Sequence, residues 1–235
     1  MPQSTLDHPE YGMKQPKERQ ENIDIVETRI NATKGEAEAQ HQLAMELMLG
    51  EFVQKDIHES LYWLTKAAEQ GFEDSYNDLG LLWCMEDGNG PGLQKGLRWL
   101  EKAADAGYAV SQYNLSIYKL SNDSPVYDGP EGLAWLKKAV DQKYPDAIFM
   151  VATFYATGRL LKQSDSKAFK YMKKAAELDC SEAQINLSDM FAQGIGTIKN
   201  QVMAKFWRQK FRDRVEAQLR EQLGSKIKII NLEDL

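Results

Sequence analysis

Apolar residues recur along this chain with the spacing of a helix face. Ala39, Leu43 and Leu47 are followed one step of 36 residues later by Ser75, Leu79 and Trp83, and further copies give Ala147, Val151, Tyr155 and Ala183, Leu187, Phe191. An i, i+4, i+8 stripe lines one side of a helix. The residue after each central position, Ala44, Gly80, Ser116, Ala152 or Ser188, is small in every copy, which predicts that a second helix approaches closely there. That second helix follows in the same register. Leu61 to Ala68 (LYWLTKAA), Leu97 to Ala104 (LRWLEKAA) and Leu133 to Val140 (LAWLKKAV) set Trp63, Trp99 and Trp135 at intervals of 36, and the step continues to Tyr171 and Trp207. A constant period of this length marks stacked helix pairs that bury their apolar faces only against neighbours. Each repeated Trp is therefore expected to be mostly buried.

Breaks in the pattern give the boundaries. Gly71 and Gly107 lie just past the second helices, where a left-handed residue ends a helix without a Cβ penalty, and Lys143 and Asp179 occupy the same slot later. Turns fall at 50–56, 87–92, 122–130, 158–165 and 194–200. One step back from Trp63 lies Glu27 to Ala32 with Gly35 at its exit, which predicts a capping helix over 21–34 after a mobile tail, 1–20. Trp207, Phe211, Val215, Leu219 and Leu223 prolong the last stripe, so the helix-pair array, 35–223, ends in a long closing helix before a tail, 224–235.

Composition narrows the function classes. A net charge of −6 argues against a general nucleic-acid role and favours basic partners. The two cysteines, Cys84 and Cys180, lie far apart without a C-x-x-C companion; they read as small buried hydrophobes, not a zinc or disulfide framework. The N-terminus lacks the features of a signal peptide, and no apolar run approaches the ~20 residues that span a bilayer, so a cytoplasmic protein with no membrane partner is expected.

With Ala-x-x-x-Leu-Gly in the first helix, Gly-x-Gly in the turn and Ala-x-x-Trp-x-x-Lys-Ala-Ala in the second, the chain resembles the Sel-one-like repeat family, relatives of the tetratricopeptide repeat, over about residues 35 to 212. Tyr76 to Gly80 carries the nearest first-helix match, and Gly194-Ile195-Gly196 with Ala204 to Trp207 the nearest turn. The third copy departs, with Lys119 in place of an aromatic and Asn122 to Pro125 in place of the turn glycines. The resemblance implies an all-α, right-handed superhelical solenoid of about five helix-pair repeats whose first helices line a concave face. Members are adaptors, scaffolds and, in bacteria, proteins that neutralise toxins. A cysteine-rich branch linked with penicillin binding carries paired cysteines in each repeat, and this chain lacks them.

If the first helices line a groove, three ladders face it: Glu38, Asp74, Val110, Asp146, Glu182; His41, Asn77, Tyr113, Phe149, Ile185; and Met45, Leu81, Ile117, Thr153, Asp189. Asp74, Asn77, Leu81, Tyr113, Ile117, Asp146, Phe149 and Glu182 are the candidate partner contacts. Rigid aromatics with an acidic border suit a segment with hydrophobic anchors and basic neighbours. The alternative reading of Leu81, Ile117 and Ile185 is packing against the next repeat. Asp87 to Gly92 superficially resembles a phosphate loop, yet no strand precedes it and no Gly-Lys-Ser/Thr follows. His8, His41 and His58 fall in no metal-ligand spacing, and no nucleophile stands by a base; no catalytic residue, metal or cofactor is expected. The closing helix gathers Lys205, Arg208, Lys210, Arg212, Arg214 and Arg220, opposite in sign to the whole, as a solvated face or a site for an acidic surface. The tail from Lys226 to Leu235 alternates apolar and polar residues.

These readings converge on a non-enzymatic module binding a protein or peptide, in a sharper form an immunity protein holding a basic toxin. The alternatives are a penicillin-recognising or hydrolytic enzyme of the repeat family and a structural subunit assembling through its closing helix.

Overall fold

The computed structural model describes residues 16–86, 90–121 and 124–223; both termini, and with them the expected tail 224–235, lie outside it, as do Asp87, Gly88, Asn89, Asn122 and Asp123. The described residues form helices alone: α1 (Pro16–Lys34), α2 (Ala37–Leu49), α3 (Ile57–Glu69), α4 (Asp74–Glu86), α5 (Pro91–Asp105), α6 (Ala109–Leu120), α7 (Gly129–Asp141), α8 (Pro145–Thr157), α9 (Asp165–Glu177), α10 (Ser181–Gln193) and α11 (Gln201–Leu223). Helix α1 takes in residues 16–20, which composition assigned to the tail. The chain folds as two compact units, Met1–Ala103 and Ala104–Leu235.

The boundaries follow from caps that recur with the period. Asp56, Asp128 and Ser164 each accept a backbone N–H three residues on, at 2.9, 3.0 and 3.4 Å, and Asn200 accepts that of Met203 at 3.0 Å. Each cap satisfies one of the helix's otherwise unpaired donors. At the second-helix exits Gly35, Gly71 and Gly107 have φ of 99, 86 and 101°, and Lys143 and Asp179 are held at 61 and 63° in the same slot. The backbone there is left-handed whatever the side chain, so the third copy carries at Lys143 a strain that glycine avoids and that aspartate, in the fourth, tolerates better.

The expected close helix crossing is present, and both helices supply small residues to it. Ser60 Oγ on α3 donates to Ala44 O on α2 at 2.7 Å, and Ser188 Oγ on α10 donates to Ala204 O on α11 at 2.9 Å, the same contact with its partners exchanged. Between α4 and α5 two glycines meet: a Cβ on Gly96 would lie 2.4 Å from Gly80 O. Fully buried leucines flank these crossings: Leu43, Leu64, Leu79 and Leu100 in the first unit, Leu115, Leu136 and Leu187 in the second. Each contributes about 2 to 3 kcal/mol of apolar transfer.

Trp63 is 9% exposed and Trp207 5%. Trp99 and Trp135 are less enclosed than these two, yet each keeps most of its surface covered, and Trp99 packs against the core of the first unit. Trp63 and Trp135 donate their ring N–H to Glu59 and Glu131, one turn back, at 3.1 and 3.3 Å. A lysine one turn on lies over the ring: Lys102 at 4.9 Å from Trp99, Lys138 at 3.6 Å from Trp135 and Lys210 at 5.3 Å from Trp207. Such amphipathic packing holds the ring without full burial.

Candidate functional site

In the first unit the proposed contacts lie on α4. Asp74 is exposed in its first turn, and Leu81 is partly buried. Asn77 donates to Asp78 Oδ1 at 3.2 Å, and Asp78 Oδ2 meets His41 Nε2 at 3.0 Å, so this rung is occupied by side chains of α2 and α4 themselves. The His41 ring also packs on Phe72, centroids 5.4 Å apart. Asp74 has no ion-pair partner among the described residues.

The second unit builds a denser cluster. Tyr113 on α6 packs its ring 5.3 Å from Tyr144, the residue before α8. Tyr144 donates its hydroxyl to the Asp146 carboxylate in the first turn of α8; burial first, then that carboxylate, push its pKa up to about 12. Asp146, Cys180 and Glu182 each place a ligand-type atom within 4.8 Å of the others, and Cys180 Sγ donates to Glu182 Oε2 at 3.6 Å. Burial chiefly, opposed by a backbone hydrogen bond from Ala183 and reinforced by both carboxylates, raises the thiol to about 11. Tyr113 is raised as well, by burial first and then by Asp146, Cys180 and Glu182. Neither Asp146 nor Glu182 pairs with a cation among the described residues. Two carboxylates, a protonated thiol and two phenols thus share one corner.

Of the sequence candidates, Tyr113, Asp146 and Glu182 come together here. Ile117, 38% exposed, lies one turn on from Tyr113 along α6, while Phe149 packs partly into the apolar core of the second unit. Tyr144 and Cys180 were missed. Their signal is arithmetic: they stand 36 apart, two residues before Asp146 and Glu182, in the slot that precedes each first helix. Chemically the corner suits a cation, either a guanidinium or ammonium group or a metal ion. The Asp146, Cys180 and Glu182 atoms could serve as metal ligands only after the thiol lost its proton.

The cations of α11 are partly spent inside the unit. Arg208 meets Asp189 at 2.7 Å, Lys210 meets Asp179 at 2.8 Å, and Arg220 lies 3.7 Å from Glu216 on its own helix. Hydrogen bonding and attraction by Lys210, aided by Arg214, hold the Asp179 carboxyl below its usual range. Acidic residues of the same unit thus neutralise part of that helix.

Helix pairs at constant period, capped alike and crossed at small residues, define an all-α solenoid-repeat protein. The Sel1 repeat model matches residues 37–72, 74–108, 109–144, 145–180 and 181–211, and the chain therefore belongs to the Sel1 repeat family. Among solved structures, a Sel1 repeat protein from Oxalobacter formigenes aligns with TM-score 0.70 and 24% identity over 83% of this chain and 80% of that one. Two immunity proteins from Pseudomonas aeruginosa align with TM-scores of 0.58 and 0.59 at 18 and 19% identity, covering 87 and 88% of this chain and 84 and 76% of theirs. These likenesses carry the fold alone. No curated protein matches the sequence significantly. No described helix is long and apolar enough to cross a membrane.

Proposed function

We propose that the chain is a non-enzymatic interaction module that holds a protein or peptide against its first helices, with the corner of Tyr113, Tyr144, Asp146, Cys180 and Glu182 as the anchoring point. The observation that carries this reading is the pair of carboxylates beside two tyrosines with no cation among the described residues to balance them. Like charges gathered in a partly desolvated place are stabilised when a cation arrives, and a tyrosine face adds to the attraction. The guest is then a Lys or Arg side chain, with apolar neighbours meeting Ile117 and the exposed edge of Phe149. Within the first unit, taken by itself, Asp74, Asn77 and Leu81 on α4 are proposed as separate contacts. The family's role in protein interaction supports the module, and the resemblance to immunity proteins supports a sharper version in which the partner is a basic toxin.

Photo-crosslinking in the native cells tests it. A benzoylphenylalanine at Ile117 is expected to give one discrete protein adduct that disappears with Asp146→Asn plus Glu182→Gln. The same probe at Phe206, exposed on α11, is expected to give none. An adduct at 206 without one at 117 would move recognition to the closing helix.

A further inference from the structure

On the second helices of the first unit, the chain breaks its own pattern. The slot that holds Glu59 and Glu131 in the first and third copies holds Lys95 in the second, so Trp99 has no carboxylate one turn back to accept its indole N–H. Lys95 instead lies over the Trp83 ring, 4.5 Å from its centroid, and Lys102 lies 4.1 Å from Tyr76 and 4.9 Å from Trp99. With Thr65 and Arg98 these residues line a cavity of about 420 Å³. Lys95, Arg98 and Lys102 are exposed and form no ion pair with any described residue. Three cations, two of them seated on aromatic rings, stand together on a protein whose net charge is −6.

We infer that this tryptophan-lined basic pocket on α5 is a second binding site, which takes an acidic segment of a partner protein carrying carboxylates next to an apolar side chain. The inference does not depend on the acidic corner of the second unit. The cations stand at i, i+3 and i+7, which spreads them over about 10 Å along the helix. That spread does not converge on a single phosphate. It suits an extended peptide, in which alternate side chains lie about 7 Å apart. The carboxylates meet the three cations, and the apolar side chain between them enters against Trp83 and Trp99. Cations already seated on rings lose little freedom on binding, which favours the bound state.

The fourth copy repeats the charges, with Lys167, Lys170 and Lys174 beside Tyr155 and Tyr171, but there the two rings stack on each other at 5.6 Å and 22°. Their facing surfaces are taken. The second copy alone of these two opens its aromatics onto a described cavity.

The test is a calorimetric titration of the full chain with the peptide acetyl-ELDELE-amide, against the neutral acetyl-QLNQLQ-amide, inorganic phosphate and ATP. The acidic peptide is expected to bind one to one and the neutral peptide to bind at least tenfold more weakly. Lys95→Glu and, separately, Arg98→Ala should each weaken the acidic peptide at least tenfold. Both folds are safe by internal precedent, since Glu59, Glu131 and Ala134 occupy those slots in sister copies. Lys167→Glu makes the same charge change where no such cavity is described, and should change affinity by less than twofold. No binding of the acidic peptide, equal loss with Lys95→Glu and Lys167→Glu, or tighter binding of phosphate or ATP than of the peptide would each overturn the inference.

Discussion

Gly96→Ala sets two effects against each other at the crossing of α4 and α5. Alanine in a helix interior is favoured over glycine by about 1 kcal/mol, so local propensity predicts a gain. The new methyl, however, would lie 2.4 Å from both Gly80 O and Cys84 Sγ and 2.9 Å from Cys84 N, where ordinary contact begins near 3.4 Å. Two of those three atoms are backbone and cannot rotate aside, so the helices must part and the leucines packed beside them, Leu79 and Leu100, lose contact. Overpacking of this kind costs about 1 to 3 kcal/mol, and an obstacle made of backbone puts it at the upper end. The net expectation is a loss of about 2 kcal/mol, or about 4 to 8 °C in Tm for a chain of this size. Gly132→Ala is the matched control. Its methyl would press on Leu120 Cγ and Cδ2, the movable part of a side chain, at 2.6 and 2.7 Å, and it should cost clearly less. Urea unfolding followed by tryptophan fluorescence measures both. A Gly96→Ala variant as stable as the parent would refute the reasoning: the crossing could then widen freely, as it does to admit the buried Ala152 and Ala168 in the fourth copy.

Two further predictions concern strain and titration. Lys143→Gly relieves a lysine held at φ 61° in an exposed turn and should raise stability by about 1 kcal/mol, read as a higher urea midpoint. Cys180, raised to about 11 from an unfolded value near 9, and Tyr144, raised to about 12 from 10, stay protonated in the fold at pH values where the unfolded chain ionises. The folded state therefore binds more protons between pH 9 and 12, and this stabilisation, full below pH 9, is lost as pH rises through that window. The fall in urea midpoint between pH 8.5 and 10.5 should shrink in Cys180→Ala, and an undiminished fall would place the alkaline sensitivity elsewhere.

Much of the fold was legible because a repeat states each rule several times. The left-handed exits could be read at Gly71 and Gly107, and register alone extended them to Asp179 and to Lys143, whose residue type argues against that backbone. The small residues on the first helices predicted a close crossing, and the matching ones on the second helices, Ser60, Gly96 and Gly132, complete it. The repeated slot gave the burial of the tryptophans but not its gradation: Trp99 and Trp135 are less enclosed than Trp63 and Trp207, since a neighbouring lysine can hold an indole without full burial. The acidic corner was half legible. Asp146 and Glu182 lie on one ladder, whereas Tyr144 and Cys180 sit just before the helices, and only three-dimensional placement brings the thiol against a carboxylate. The charge reversal from Glu59 to Lys95 stood in the sequence too, but its consequence needed the ring on which the lysine settles.

The central claim is that the partner enters as a cation between Asp146 and Glu182. Its most direct test is the association rate of the partner captured at Ile117, measured by stopped flow at low and high ionic strength for the parent chain and for Asp146→Asn plus Glu182→Gln. The account predicts association slowed at least tenfold at low salt and a flattened salt dependence, because steering by unbalanced carboxylates is what salt screens. An association rate and salt slope unchanged from the parent would contradict it.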